Sequence, residues 1–191
     1  MKPAEQILFE VRRLESLVRE FMTFAGEQRL ESRRIDVPMF LQQVVDLWRP
    51  MASAHGARIG VDLPANLPPL YADEEKLRRV LDNLVKNAVE AIGEGSGEIL
   101  IRAEIPTAGK LRLLIEDTGP GIADGVQPFR LFETTKSDGT GLGLPVARQV
   151  VVAHGGRIDW IAREPHGTVF RIELPLRGPA VSGPEDSPHR Q

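Results

Sequence analysis

Two glycine clusters, Asp117-Thr118-Gly119-Pro120-Gly121-Ile122 and Gly139-Thr140-Gly141-Leu142-Gly143-Leu144, bracket a polar stretch containing Thr134-Thr135-Lys136. Glycine permits positive φ and lets backbone lie directly against a bound group, so such a pair suggests a chain wrapped round a phosphorylated small molecule. Neither cluster is a Walker loop, because no Gly-x-x-x-x-Gly-Lys-Ser/Thr is present. Gly139-x-Gly141-x-Gly143 also spaces its third glycine too early for the dinucleotide fingerprint. Taken alone, a glycine-rich loop is a turn-rich connection.

An upstream helix gives the clusters their meaning. In Glu75 to Ile92, the apolar residues at 77, 80, 81, 84, 85, 88, 91 and 92 form one stripe that must face a core. Asn83 and Asn87 are four apart and share the margin of that stripe. Two asparagines at a buried edge are costly unless something takes up their hydrogen-bonding capacity. A hydrated Mg²⁺ carried by nucleotide phosphates would do so.

The segments Asn83-Leu84-x-x-Asn87-Ala88, Asp117-x-Gly119-x-Gly121-Ile122, Phe132-x-Thr134-Thr135-Lys136 and Gly139-Thr140-Gly141-Leu142-Gly143-Leu144 occur in this order. They resemble the N, first glycine, F and second glycine boxes of sensor histidine kinases. His154-Gly155-Gly156-Arg157-Ile158 and Gly167-Thr168-x-Phe170-x-Ile172-x-Leu174-Pro175 extend the likeness, which covers about residues 33 to 176. The chain is thus similar to the catalytic and ATP-binding domain of that family, in the wider group that includes gyrase, Hsp90 and MutL.

The resemblance implies a two-layer α/β sandwich, the Bergerat ATP-binding fold, with a mixed sheet, about three helices and an N-terminal dimerisation helix. It also implies ATP and Mg²⁺ as cofactors. Asp117 would accept a hydrogen bond from the adenine amine, with Gly119 and Gly121 supplying room for the ring. Asn87 would ligate Mg²⁺ through its amide oxygen, with Asn83 supporting the phosphates or a bound water. Thr134, Thr135 and Lys136 suit a lid over the nucleotide, and Gly141 and Gly143 a phosphate-facing helix end. Gly139, Thr140 and Leu142 complete the nucleotide-binding set. Gyrase-type ATPases place a water-activating glutamate where this chain has Asn83, so transfer to a protein acceptor is the better reading than hydrolysis.

The N-terminal stretch Glu5 to Gln28 reads as a helix with a heptad seam of Ile7, Val11, Leu14, Val18, Phe21 and Ala25, widened by Leu8, Leu17 and Phe24. So wide a stripe wants another chain, or the body of its own domain, to cover it. It resembles the second helix of the kinase dimerisation domain, which implies a homodimer or a kinase partner. The first helix of that pair, which carries the phosphoacceptor histidine in the family, has no counterpart. His55 and His154 stand at helix ends, His166 in a turn and His189 in a tail, and none is in the N-terminal helix. The acceptor would therefore lie on another chain or on a missing segment, with a response regulator downstream. Within the F box, Phe129-Arg130-Leu131-Phe132-Glu133 replaces the family's Phe-Glu-Pro-Phe-Phe, which bears on lid packing and leaves the nucleotide contacts intact.

The remaining elements follow from pattern. Ile35 to Val37 reads as a strand, and Pro38 to Ala54 as a helix with Phe40, Leu41, Val44, Val45, Leu47, Trp48 and Met51 apolar and Pro50 as a candidate kink. Arg58 to Leu63 is a strand and Pro64 to Tyr71 a loop, and Asp73 caps the asparagine helix. Strands follow at Glu98 to Ile105 and Leu111 to Glu116, then a helix at Gly141 to Ala153 and strands at Arg157 to Ala162 and Thr168 to Leu174. The domains read as a dimerisation helix at 1–30, an ATP-binding domain at 31–176 and a disordered tail at 177–191.

Composition narrows the setting. A chain of 191 residues with 41% hydrophobic content can bury one core plus an appendage, and the absence of cysteine excludes disulfides and thiolate metal sites. No apolar run approaches the roughly 18 residues of a membrane span. The formal net charge of −3 gives no basic footprint for nucleic acid. A cytoplasmic location is expected. The functional expectation is histidine kinase catalysis; the alternatives are a non-catalytic ATP-sensing dimerisation partner of a kinase and an anti-sigma-type serine kinase.

Overall fold

The computed structural model describes residues 8, 11, 14, 15, 18, 22, 29–134 and 139–177. The elements run β1 (Arg33–Ile35), α1 (Val37–Ala54), β2 (Ala57–Asp62), β3 (Leu70–Ala72), α2 (Glu74–Ile92), β4 (Gly97–Glu104), β5 (Lys110–Asp117), α3 (Gly143–Ala153), β6 (Arg157–Ala162) and β7 (Thr168–Pro175). Five strands make one mixed sheet in the order β2-β4-β5-β7-β6, with β2 parallel to β4 and every other neighbour antiparallel. β1 and β3 form a separate antiparallel pair. The two-layer α/β sandwich is the architecture observed.

Period-two alternation makes the sheet one-sided. On β5, Leu111, Leu113 and Ile115 are buried, as are Ile99, Ile101 and Ala103 on β4 and Phe170, Ile172 and Leu174 on β7. These meet the stripe of α2, where Leu77, Val80, Leu81, Leu84, Val85, Ala88 and Val89 are buried. On the opposite face a row of facing residues runs Glu104, Arg112, Glu173, Arg157 across four strands. Ion pairs link each neighbour in that row. Hydrogen bonds from Arg157, then Arg112, bring the Glu173 carboxyl down to about 2.

Several boundaries differ from the sequence pattern. The first strand stops at Ile35, because Asp36 becomes the N-cap of α1 and accepts the Met39 N–H at 3.0 Å. Pro50 sits inside a continuous α1. Leu47 and Met51, grouped above with the apolar side of that helix, are 62% and 51% exposed. The segment read as a loop up to Tyr71 ends in β3, a three-residue strand that exists because β1 pairs with it. Gly141 and Leu142 precede α3 instead of opening it. Arg177, the first residue of the segment read as tail, is tied down by a bridge to Tyr71, next to the Tyr71 N–H to Leu176 O hydrogen bond.

Leu8, Val11, Leu14, Val18 and Met22 are helical and each is 45–65% exposed. The domain's own core does not cover Leu8, Val11, Leu14 and Val18, the positions of the seam and its margin among them. Ile7, Leu17, Phe21, Phe24 and Ala25 lie outside the described residues, as do Thr135, Lys136 and residues 178–191.

Candidate functional site

Asp117 is the fourth inward position of the file Leu111, Leu113, Ile115, Asp117, so the pleat that builds the core also delivers a carboxylate to its end. It is only 3% exposed. Its Oδ1 accepts the N–H of Gly119 at 2.8 Å and of Thr168 at 3.3 Å. Burial pushes the Asp117 carboxyl above its ordinary range, against the pull of those two N–H groups, the Thr168 hydroxyl and the charge of Arg163. Gly119 is pressed against α2, where an added Cβ would lie 3.2 Å from the Ala91 Cβ. Gly121 follows it, half-buried.

α2 begins as its sequence predicts, with Asp73 Oδ1 accepting the Lys76 N–H at 3.1 Å. Asn83 and Asn87 are both half-buried on the margin of its stripe. Asn83 Nδ2 donates to the Gly143 carbonyl at 3.3 Å, which ties the asparagine helix to the first turn of α3. At the other end of α3, His154 is buried and bridges back to the cap of α2. Its Nδ1–H donates to Val150 O at 2.8 Å and its Nε2 accepts the Asp73 N–H at 3.0 Å. Burial holds the His154 pKa below 6.5, so the ring is neutral in the fold. The two helices are therefore pinned together at both ends.

α3 starts after Leu142, which is buried, and no side chain caps its first N–H groups. An uncapped helix N-terminus offers orphan N–H donors and the positive end of the dipole to an anion. The preceding turn is fixed by the Thr140 hydroxyl, which accepts the Leu142 N–H, and by Gly141 at φ +67°. A Cβ on Gly141 would stand 2.5 Å from the Phe132 backbone. Phe132 donates its N–H to Gly141 O at 3.1 Å and itself has φ +63°. The F-box segment is thus laced to the second glycine cluster, with Thr134 exposed and Gly139 and Thr140 half-buried beside it. Thr135 and Lys136 fall outside the described residues.

α2 is thus common to both glycine clusters, with Gly119, beside Asp117, against its Ala91 and Gly143 of the second cluster on its Asn83. Sequence reasoning assigned no site role to Thr168, although it lay inside a quoted motif. Its contribution comes from register, as the partner directly opposite Asp117 on β7. Among the described residues no cluster of three or more His, Cys, Asp or Glu could hold a metal ion. No described helix is long and apolar enough to cross a membrane.

The profile of the family described as "Histidine kinase-, DNA gyrase B-, and HSP90-like ATPase" matches residues 72–178. Sporulation kinase E of Bacillus subtilis (strain 168) is 32% identical over 174 residues, which is 90% of this chain and 23% of that protein. Full-length ShkA in complex with AMPPNP superposes with a TM-score of 0.78 at 33% identity, over 88% of this chain and 37% of that one. Histidine kinase ThkA in complex with response regulator protein TrrA gives 0.74 at 29% identity, over 87% and 48%. The chain spans from 23% to 50% of the length of the curated relatives it matches. With the profile covering more than half of its residues, this chain belongs to the family of histidine kinase-, DNA gyrase B- and HSP90-like ATPases.

Proposed function

We propose that this chain is the catalytic, ATP-binding part of a two-component sensor histidine kinase, working on a histidine carried by another polypeptide or by a segment outside this sequence. The observation that carries the reading is that α2 presents an amide, Asn83, and not a carboxylate to Gly143 in the uncapped first turn of α3. A hydrolase needs a base to activate water at that place, and Asn83 is instead engaged with Gly143. Asp117 supplies the acceptor for the adenine amine, and the N–H groups at the start of α3 receive the phosphates. Gly121, Gly139, Thr140, Gly141 and Leu142 shape the backbone between these points, with Thr134, Thr135 and Lys136 as lid residues.

The donor set suits Mg²⁺ held mainly by phosphate oxygens and water, with the Asn87 amide oxygen as the protein ligand, because Mg²⁺ favours a few hard oxygens over an all-protein cage. Held there, the ion would neutralise phosphate charge. The transfer itself is a displacement at the γ-phosphorus: an acceptor imidazole nitrogen forms the new bond, the bond to the β–γ bridging oxygen breaks and ADP leaves. The protein's part is positioning.

Residues 1–30 serve as a partial dimerisation helix, 31–176 as the catalytic domain and 177–191 as a tail. The exposed apolar positions of the N-terminal helix support a homodimer or a kinase partner, and the neighbour solved with its regulator supports a response regulator as the next acceptor. Cytoplasmic residence goes with this reading. The test is to mix the chain with candidate histidine-bearing helices and γ-labelled ATP. Acid-labile, alkali-stable label on the added helix is expected, with none on His55, His154, His166 or His189. Release of free phosphate without labelled protein would replace the kinase reading with a hydrolase.

A further inference from the structure

The hairpin between β6 and β7 reaches the first glycine cluster, and no motif reading gives its tip a role. Its tip closes on itself through Arg163 N–H to Gly167 O at 3.1 Å. Gly167 has φ +116°, and a Cβ there would stand 1.9 Å from the Asp117 carbonyl oxygen. The tip is therefore in backbone contact with the residue that faces the adenine. His166, exposed at the hairpin tip, places Nδ1 at 3.2 Å from the Gly119 carbonyl oxygen. A carbonyl only accepts, so this contact requires the Nδ1–H form of the ring. Arg163 is drawn in as well, lying 4.0 Å from Glu116 and donating to the His166 carbonyl.

Gly119 is consequently held through both of its flanking peptides. Its N–H goes to the Asp117 carboxylate and its carbonyl receives His166, while its Cα lies against Ala91 of α2. Loss of the His166 contact frees the Gly119–Pro120 peptide to turn about the Gly119 Cα, which loosens the anchor of the adjoining Thr118–Gly119 peptide, whose N–H orients the carboxylate. Because a site's orienting groups act through the geometry of the group they hold, such a loss appears in affinity before it appears in folding.

We propose that His166 is a positioning residue for nucleotide binding, acting from the β6–β7 hairpin through the Gly119 carbonyl. The inference rests on the nucleotide-site reading given above, and deepens it by adding a determinant that the family's boxes do not contain.

The test uses the full chain and MgADP, titrated calorimetrically, with thermal midpoints measured on the same samples. His166→Ala is expected to weaken MgADP binding roughly 5- to 10-fold, in line with the loss of one net hydrogen bond. His166→Asn, whose amide N–H takes the place of Nδ1–H, is expected to stay within about twofold of the wild type. His166→Gln, which extends its donor to the Nε2 position, is expected to behave like alanine. All three should melt close to the wild type. In ¹⁵N-resolved spectra the wild-type ring should show the Nδ1–H form.

Wild-type affinity in His166→Ala, asparagine as weak as alanine, or an Nε2–H ring would each overturn the proposal. Asp117→Asn separates the two levels. If it loses binding while His166→Ala keeps it, this inference alone fails. If the wild type binds no MgADP, the nucleotide reading fails and takes this one with it.

Discussion

Asp117 combines two demands that pull against each other. Burial raises its pKa, so the ionised form costs the fold free energy, while the adenine amine proposed as its partner needs that ionised acceptor. A carboxyl whose folded pKa lies above its unfolded value contributes most to stability at low pH and loses that contribution as pH rises through the folded value. Nucleotide binding runs the other way, weakening as pH falls toward the raised pKa. Asp117→Asn separates the two: the amide oxygen can still accept from Gly119 and Thr168, and the buried charge disappears. We expect the melting temperature to hold or rise while ATP binding weakens by roughly 1.5–3 kcal/mol, the cost of replacing a charged acceptor. Calorimetric titration and a melt on one sample check both, and unchanged ATP affinity would remove Asp117 from the site. The carboxylate and the asparagine pair were legible in the sequence because their spacing lies within one element. Thr168 and His166 were not, because they reach Asp117 and Gly119 through sheet register from about 50 residues away.

At the scale of elements, the pairing of α2 with α3 matters most to the site. Asn83 joins them at the nucleotide end and His154 at the other. Protonation of His154 on Nε2 would turn the acceptor of the Asp73 N–H into a donor. A histidine with a depressed folded pKa gives stability that is fully present above its unfolded value near 6.5 and is lost as pH falls through the folded value. The expected outcome is a decline in the urea midpoint over that window, in which His154 has a part. His154→Ala should lower stability at pH 7.5 by about 1–3 kcal/mol, the range for an unmet buried donor, and should flatten the decline. An unaltered pH slope in that variant would exclude His154 as its source. Helix periodicity made α1, α2 and α3 readable, with errors at their ends. β3 was missed for a physical reason: three residues carry no alternation, and only pairing with β1 defines them as a strand.

For the whole molecule, the open question is what covers the N-terminal helix. Side chains such as Val11, Leu14 and Val18 each gain roughly 1.5–3 kcal/mol when fully buried, and four or more exposed together favour association. Leu14→Glu with Val18→Glu is expected to turn a dimer into a monomer that still binds ATP, since Asp117, Asn83 and Asn87 lie in the other part of the chain. Sedimentation alongside ATP titration reads both halves, and a wild-type monomer would remove the dimer. Fold class was legible from the ordered glycine and asparagine motifs. Strand order was not, because no local pattern records that β7 lies between β5 and β6.

That placement has a consequence for biosynthesis. The last strand of this sheet to leave the ribosome, β7, is an interior one, contributing Phe170, Ile172 and Leu174 to the core and the Thr168 N–H to Asp117. Until it arrives, β5 has an open edge and the carboxylate lacks half of its backbone donors. A nascent chain ending before Thr168 would hold every asparagine and glycine box yet have no closed sheet on which to mount them. Binding competence should therefore appear abruptly, when β7 inserts, and the exposed edge of β5 before that moment is where a chaperone would have most to cover.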